Sequence, residues 1–197
     1  MKIISAQYLK GVTRPEQAGG EEAPEVCFIG RSNVGKSSMI NKLVMQKVAK
    51  TSSTPGATRV INLYKIVYEF KGARRSLIFS DFPGFGYAKV PAEMYKGWEQ
   101  MIETYVSENP RINRVIWVYD VRRDIDELDR TLIDWISLLR LDFTMVLTKI
   151  DKDTRNNVAK KRMLFSRYFG ESRVLTFSAK DGDGRRELLS HILSSIA

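Results

Sequence analysis

The run Gly30-Arg31-Ser32-Asn33-Val34-Gly35-Lys36-Ser37, continued by Ser38, constrains this chain more than any other feature. It fits the phosphate-loop pattern G-x4-G-K-[ST]. The β-rich run Val26–Ile29 precedes it, and a helical pattern comes after it in which Met39, Ile40, Leu43 and Val44 share a face. Glycines let backbone N–H groups wrap a phosphate, and the start of the helix adds the positive end of its dipole. Lys36 can reach the β and γ phosphates, and the Ser37 hydroxyl can ligate magnesium. A strand, a tight loop and a helix in that order commit the chain to an α/β architecture.

The remainder agrees. Short β-rich runs recur at Val60–Phe70, Arg75–Ser80, Arg114–Tyr119, Phe143–Leu147 and Val174–Phe177. Helical spacing fills most gaps: Met94, Trp98, Met101, Ile102, Tyr105 and Val106; then Leu128, Leu132, Trp135, Ile136 and Leu139; then Val158 to Tyr168, ending at Gly170; and finally Leu188, Leu189, Ile192, Leu193 and Ile196. Alternation of this kind predicts a mainly parallel, six-stranded sheet with helices on both faces. The runs around Val60–Phe70 and Arg75–Ser80 are the exception. Only Lys71-Gly72-Ala73-Arg74 separates them, so they form an antiparallel hairpin, since a parallel crossover needs a dozen or more residues. Residues 1–24 read as a loosely ordered lead with an early edge strand around Ile3–Leu9, and 25–197 as one domain.

The residues that end the other strands select the base. Thr148-Lys149-Ile150-Asp151 ends the fifth strand, and a carboxylate there can accept both the ring N–H and the exocyclic amino hydrogens of guanine. Adenine would leave it unmatched, which discriminates strongly. The stem of Lys149 can lie along the base. Phe177-Ser178-Ala179-Lys180 ends the sixth strand, where the Ala179 N–H can donate to the guanine carbonyl. Asp81-Phe82-Pro83-Gly84 ends the third: its carboxylate can hold magnesium through water, and its glycine N–H can meet the γ phosphate. Thr54-Pro55-Gly56-Ala57-Thr58 lies between the first helix and the hairpin, and Thr58 can add a hydroxyl to magnesium, although a plain Pro-Gly turn competes with that role. Except for Thr58, every proposed contact falls at the carboxyl end of a strand, where open α/β sheets bind ligands. Lys36, Thr58 and Gly84 converge on the γ phosphate and are the candidate catalytic groups.

Composition narrows the partners. Lys plus Arg outnumber Asp plus Glu by 32 to 23, a formal charge of +9, which favours a polyanion such as nucleic acid. The pairs Arg74-Arg75, Arg122-Arg123 and Arg185-Arg186 and the triplet Lys160-Lys161-Arg162 are each readable as a solvated face or as a nucleic-acid contact. No apolar run approaches the ~20 residues of a membrane span. One cysteine, Cys27, and no signal segment predict a cytoplasmic protein without disulfides, and Cys27 is placed in the core. A single histidine, His191, rules out a His-based metal cluster, leaving oxygen ligands and magnesium. Helical spacing puts His191 on the polar side of the last helix, at the surface.

The five motifs together resemble those of the translation-factor-like small GTPases. More narrowly, Gly30 to Ser38, Thr54 to Thr58 with Asn62, and Asp81 to Val90 (DFPGFGYAKV) resemble the EngB family of bacterial ribosome-biogenesis GTP-binding proteins, over nearly the whole chain. The resemblance implies a P-loop NTPase fold of the small-GTPase type. It also implies a monomeric GTPase that uses GTP/GDP and magnesium in assembly of the large ribosomal subunit, with ribosomal RNA as counterpart, no DNA or stable membrane partner, and links to cell division and septation. Rival readings are a membrane or division-site GTPase and a helper of an RNA-modification enzyme. Phe85 stands where signalling relatives carry a water-orienting Gln. Hydrolysis is therefore expected to be slow, with water placed by backbone, by a partner or by a monovalent cation. Asn33 is the candidate potassium ligand, its competing role being turn geometry. The loops at 51–60 and 82–91 are expected to form the partner surface, with Phe85, Tyr87 and Lys89 exposed in one nucleotide state.

Overall fold

In the computed structural model, a seven-stranded sheet has the order β1-β3-β4-β2-β5-β6-β7. The structure describes residues 2–14, 17, 22–51, 60–85, 100, 102–138, 142–194 and 196. The strands are β1 Lys2–Val12, β2 Glu25–Ile29, β3 Ile61–Phe70, β4 Ala73–Asp81, β5 Ile112–Asp120, β6 Phe143–Thr148 and β7 Val174–Phe177. The helices are α1 Lys36–Val44, α2 Glu127–Leu138, α3 Arg155–Phe169 and α4 Arg185–Ser194, with a further helical stretch over 102–107. Pairing is parallel from β4 through β2, β5, β6 and β7, while β3 is antiparallel to both of its neighbours.

The early edge strand is a full element, so the sheet has seven strands where sequence patterning predicts six. Its eleven residues pair with β3 from Lys2↔Glu69 to Val12↔Ile61, with register shifts after Ile3 and Tyr8. Those shifts break the two-residue alternation that would announce a strand. The hairpin is also tighter than its sequence suggests. Phe70 pairs with Ala73, leaving a two-residue turn in which Lys71 and Gly72 both have positive φ (49° and 77°), the signature of a type I′ turn.

Strand alternation sends side chains to two cores. On one face Val26, Phe28, Ile116, Val118 and Val146 pack with Met39, Ile40 and Leu43 of α1 and Leu188 and Ile192 of α4. On the other, Cys27, Ile29, Val115, Trp117, Tyr119 and Leu147 pack with Ile102, Tyr105, Ile136 and Phe165. All five β2 residues are buried, which fixes the strand end from which the phosphate loop springs. Beneath it, buried Glu25 accepts from Tyr105 Oη at 2.7 Å and Asn109 Nδ2 at 2.9 Å, tying the 102–107 helix to the strand.

His191 is a correction. It is half-buried, with Nε2 2.8 Å from Thr144 Oγ1, and burial and nearby Arg114 lower its pKa. Helical spacing points it toward polar surroundings, and the lower ends of β5 and β6 supply them from inside. Among the described residues no helix is long and apolar enough to cross a membrane.

Candidate nucleotide site

The carboxyl ends of β2, β4, β6 and β7 bring the phosphate loop, Asp81–Gly84, Thr148–Asp151 and Ser178–Lys180 to one rim of the sheet. Gly35 is the N-cap of α1 with φ 107°, a conformation few residues other than glycine adopt, and no side chain caps the helix start. The first amides of α1 therefore face the loop as an anion site. Lys36 lies back across the loop, donating to the carbonyls of Gly30 at 3.0 Å and Arg31 at 3.1 Å. Burial pulls its pKa from 10.5 to about 8, against the opposing pull of Asp81.

Ser37 Oγ donates to Asp81 Oδ2 at 2.6 Å. Oδ1 of Asp81, buried, has no hydrogen-bond partner among the described residues, and burial raises this carboxyl's pKa despite Lys36 and Ser37. A hydroxyl beside an unpaired buried carboxylate oxygen is the donor set a hydrated magnesium ion needs. Ser37 and Asp81 thus fit the metal. Thr54 to Thr58, the potential third magnesium ligand Thr58 included, lie outside the described residues, as do Tyr87, Lys89 and Trp98.

The Thr148–Asp151 loop is bolted to the phosphate loop. Thr148 Oγ1 is 2.7 Å from the Val34 carbonyl, and Lys149 Nζ donates to the Asn33 carbonyl at 2.6 Å. Asn33 has φ 62°, a left-handed conformation that asparagine tolerates, so turn geometry accounts for this residue type. Asp151 Oδ1 accepts from Ser178 Oγ at 2.9 Å, so the β7 end orients the carboxylate assigned to guanine. Side chains of Val34, Phe82 and Phe177 are packed in the core, leaving their backbone atoms on the site. Arg31 pairs with Asp126 at 2.6 Å, turning its guanidinium toward the start of α2. There Asp126 and Asp129 cap reciprocally, each side chain accepting the other's amide.

Two features escape sequence reasoning. Asp120, at the end of β5 and 4% exposed, accepts from Lys149 Nζ at 2.9 Å and from Arg122 Nη2 at 2.7 Å. These hydrogen bonds outweigh burial and hold its carboxyl well below the usual range. Its position at a strand end, two residues before Arg122, was the available signal. Phe85, expected to be exposed in one state, is buried here. It joins Phe82, Leu128, Leu132 and Trp135 around a cavity of about 210 Å³, and its backbone bridges to Arg31.

Comparison with known proteins places the family and the fold. Residues 25–149 match the family described as 50S ribosome-binding GTPase. The chain is 40% identical over 195 residues to the "Probable GTP-binding protein EngB" of Geobacter metallireducens, spanning 98% of this chain and 92% of that protein. Its namesake in Aquifex aeolicus is 41% identical over 172 residues, covering 87% and 90% of the two chains. A crystal structure of a probable GTP-binding protein engB superposes with TM-score 0.66 at 26% identity, covering 87% of this chain and 98% of that one. The fold is shared with Aquifex aeolicus Era bound to GDP and AlF4⁻, with TM-score 0.74 at 23% identity over 89% of this chain and 57% of that one. The chain belongs to the EngB family of GTP-binding proteins.

Proposed function

We propose that this protein is a GTP-dependent switch in assembly of the large ribosomal subunit. In this reading it acts as a cytoplasmic monomer, binds the subunit precursor and its ribosomal RNA, and leaves once GTP has become GDP and phosphate. The match to a family described as 50S ribosome-binding GTPase carries the reading. The charge of +9, of which the phosphate loop's lysine uses one, supports a polyanionic partner. A septation phenotype arises, in this reading, from a shortage of large subunits.

Each group has a task. Lys36 exchanges two loop carbonyls for the β and γ phosphates. Ser37, Asp81 through water and Thr58 would hold magnesium, which when bound offsets the charge on the phosphate oxygens. Asp151, oriented by Ser178, accepts from guanine. Gly84 presents its N–H to the γ phosphate, so loss of that phosphate frees the segment beyond it. Phe85 offers no polar side-chain group to a water molecule, so turnover by the protein alone is slow and an added group from the ribosome speeds it. A potassium ion at Asn33 is the alternative accelerator, and GTP turnover compared in potassium and sodium decides it: equal rates remove the ion.

Sedimentation with purified subunits tests the ribosomal part. With a non-hydrolysable GTP analogue, the protein is expected to pellet with large and not with small subunits. Failure to pellet with large subunits refutes the reading.

A further inference from the structure

The outward face of α3 has a composition that a merely solvated helix does not need. Its fifteen residues, RNNVAKKRMLFSRYF, include five Lys or Arg and no Asp or Glu. A surface helix gains stability from opposite charges three or four positions apart, and α3 contains no such pair. The same face exposes Met163 (58%), Leu164 (46%) and Tyr168 (76%), half of the large exposed apolar side chains among the described residues. Lys161 is held by Asp124 and the Arg123 carbonyl. Arg155, Lys160, Arg162 and Arg167 are exposed.

Leu164 and Tyr168 open onto a groove of about 730 Å³ between α2 and α3, whose walls carry Arg130 and Arg173 and also two carboxylates, Asp134 and the Asp124 that Lys161 engages. Phe169, 6.5 Å from Tyr168, stacks edge-on against Phe143 at 5.4 Å, giving the exposed ring a fixed aromatic footing. Arg173 lies over the Phe143 ring at 5.4 Å. An open aromatic ring with exposed cations beside it, Arg173 held over Phe143 and 3.9 Å from Asp142, fits a nucleobase with its phosphates. A duplex keeps its bases stacked inside, whereas single strands offer them to aromatic side chains.

We propose that this face, centred on Tyr168 with Lys160, Arg167 and Arg173, binds single-stranded RNA. The proposal rests on the ribosomal reading for which RNA is met in the cell, and names the surface that meets it. It lies one helix beyond the Thr148–Asp151 loop, since α3 starts four residues after Asp151.

Affinity for fluorescein-labelled oligo-uridine and for an RNA duplex, measured by anisotropy with the full chain at two salt concentrations, tests it. The single strand is expected to bind more tightly. Tyr168→Ala should lose about fivefold to a hundredfold, the range of one base–aromatic stack, while Tyr168→Phe keeps the affinity. Lys160→Gln with Arg167→Gln should flatten the dependence of log affinity on log salt by about 1.4, as two fewer phosphate contacts require on a single strand. An unchanged thermal midpoint verifies that the variants fold. Equal binding of duplex, or no effect of Tyr168→Ala, overturns the proposal. So does loss of large-subunit sedimentation in Tyr168→Ala with oligonucleotide affinity intact, which would make the face a protein dock. If wild-type protein ignores large subunits yet shows the oligonucleotide pattern, the ribosomal reading falls and the RNA face stands.

Discussion

The amide of Ser32 donates to the carbonyl of Phe85 across 3.1 Å, so the segment after Asp81 is stitched onto the phosphate loop. The approach is close enough that a Cβ added at Gly84 would lie 2.5 Å from Ser32 Cα. Gly84→Ala must therefore push the segment outward. The expected result is faster hydrogen exchange at the Ser32 amide and loss of any preference for triphosphate over diphosphate, read by NMR and by nucleotide titration. Unchanged exchange would separate Gly84 from the switch.

On the other side of that stitch the Phe85 ring is buried at the edge of a cavity lined mostly by apolar side chains. Phe85→Ala removes a buried ring and should destabilise the fold by about 3 kcal/mol, measured by urea unfolding. Phe85→Leu should cost less than about 1.5 kcal/mol. Equal, negligible losses would mean that the ring is not a core contact.

Lys36 makes nucleotide binding pH-dependent with a definite sign. In the free protein its pKa is about 8 against an ordinary 10.5, and the negative charge of bound phosphates raises it again. Below pH 8 the ammonium is already charged, and affinity is flat from this source. Above it, binding takes up a proton, so affinity falls by up to about tenfold per pH unit. Over the same interval the nucleotide-free fold gains stability, because the unfolded chain keeps a proton that the fold releases. Titration of GDP between pH 7 and 9, with calorimetry in two buffers to count protons, checks both signs.

Much of the arrangement of this candidate site was legible because it is local. Gly35, Lys36 and Ser37 lie together where the loop turns into α1, and Asp81, Thr148 and Ser178 mark strand ends that periodicity places within a residue or two. Features that depend on distant pairing were not. Asp120 meets Lys149 because β5 and β6 align Asp120 with Thr148, a register no local pattern encodes. Phe85 is buried beside a cavity it shares with side chains of α2 and the 102–107 helix, and His191 is met by Thr144 of β6. The edge strand β1 was visible only in part, since its register shifts scramble the alternation.

If Thr148–Asp151 reads the base as proposed, Asp120 and Ser178 position it, through Lys149 and Asp151 respectively. Asp120→Asn removes the charge that holds Lys149, and Ser178→Ala removes the hydroxyl that holds Asp151. Each is expected to weaken GDP by about tenfold, the worth of one charged hydrogen bond, with guanine still preferred over xanthine. Asp151→Asn, in contrast, should invert that preference toward xanthosine nucleotides. Competition binding distinguishes the two behaviours, and an unchanged preference in Asp151→Asn would refute its assignment to the base.

The most direct measurement is the ratio of large-subunit affinities with a non-hydrolysable GTP analogue and with GDP, at one fixed salt concentration. A switch worked by the Gly84–Phe85 segment predicts at least about a tenfold preference for the GTP state, within the usual range of coupling between two sites. Equal affinity in the two states would contradict it.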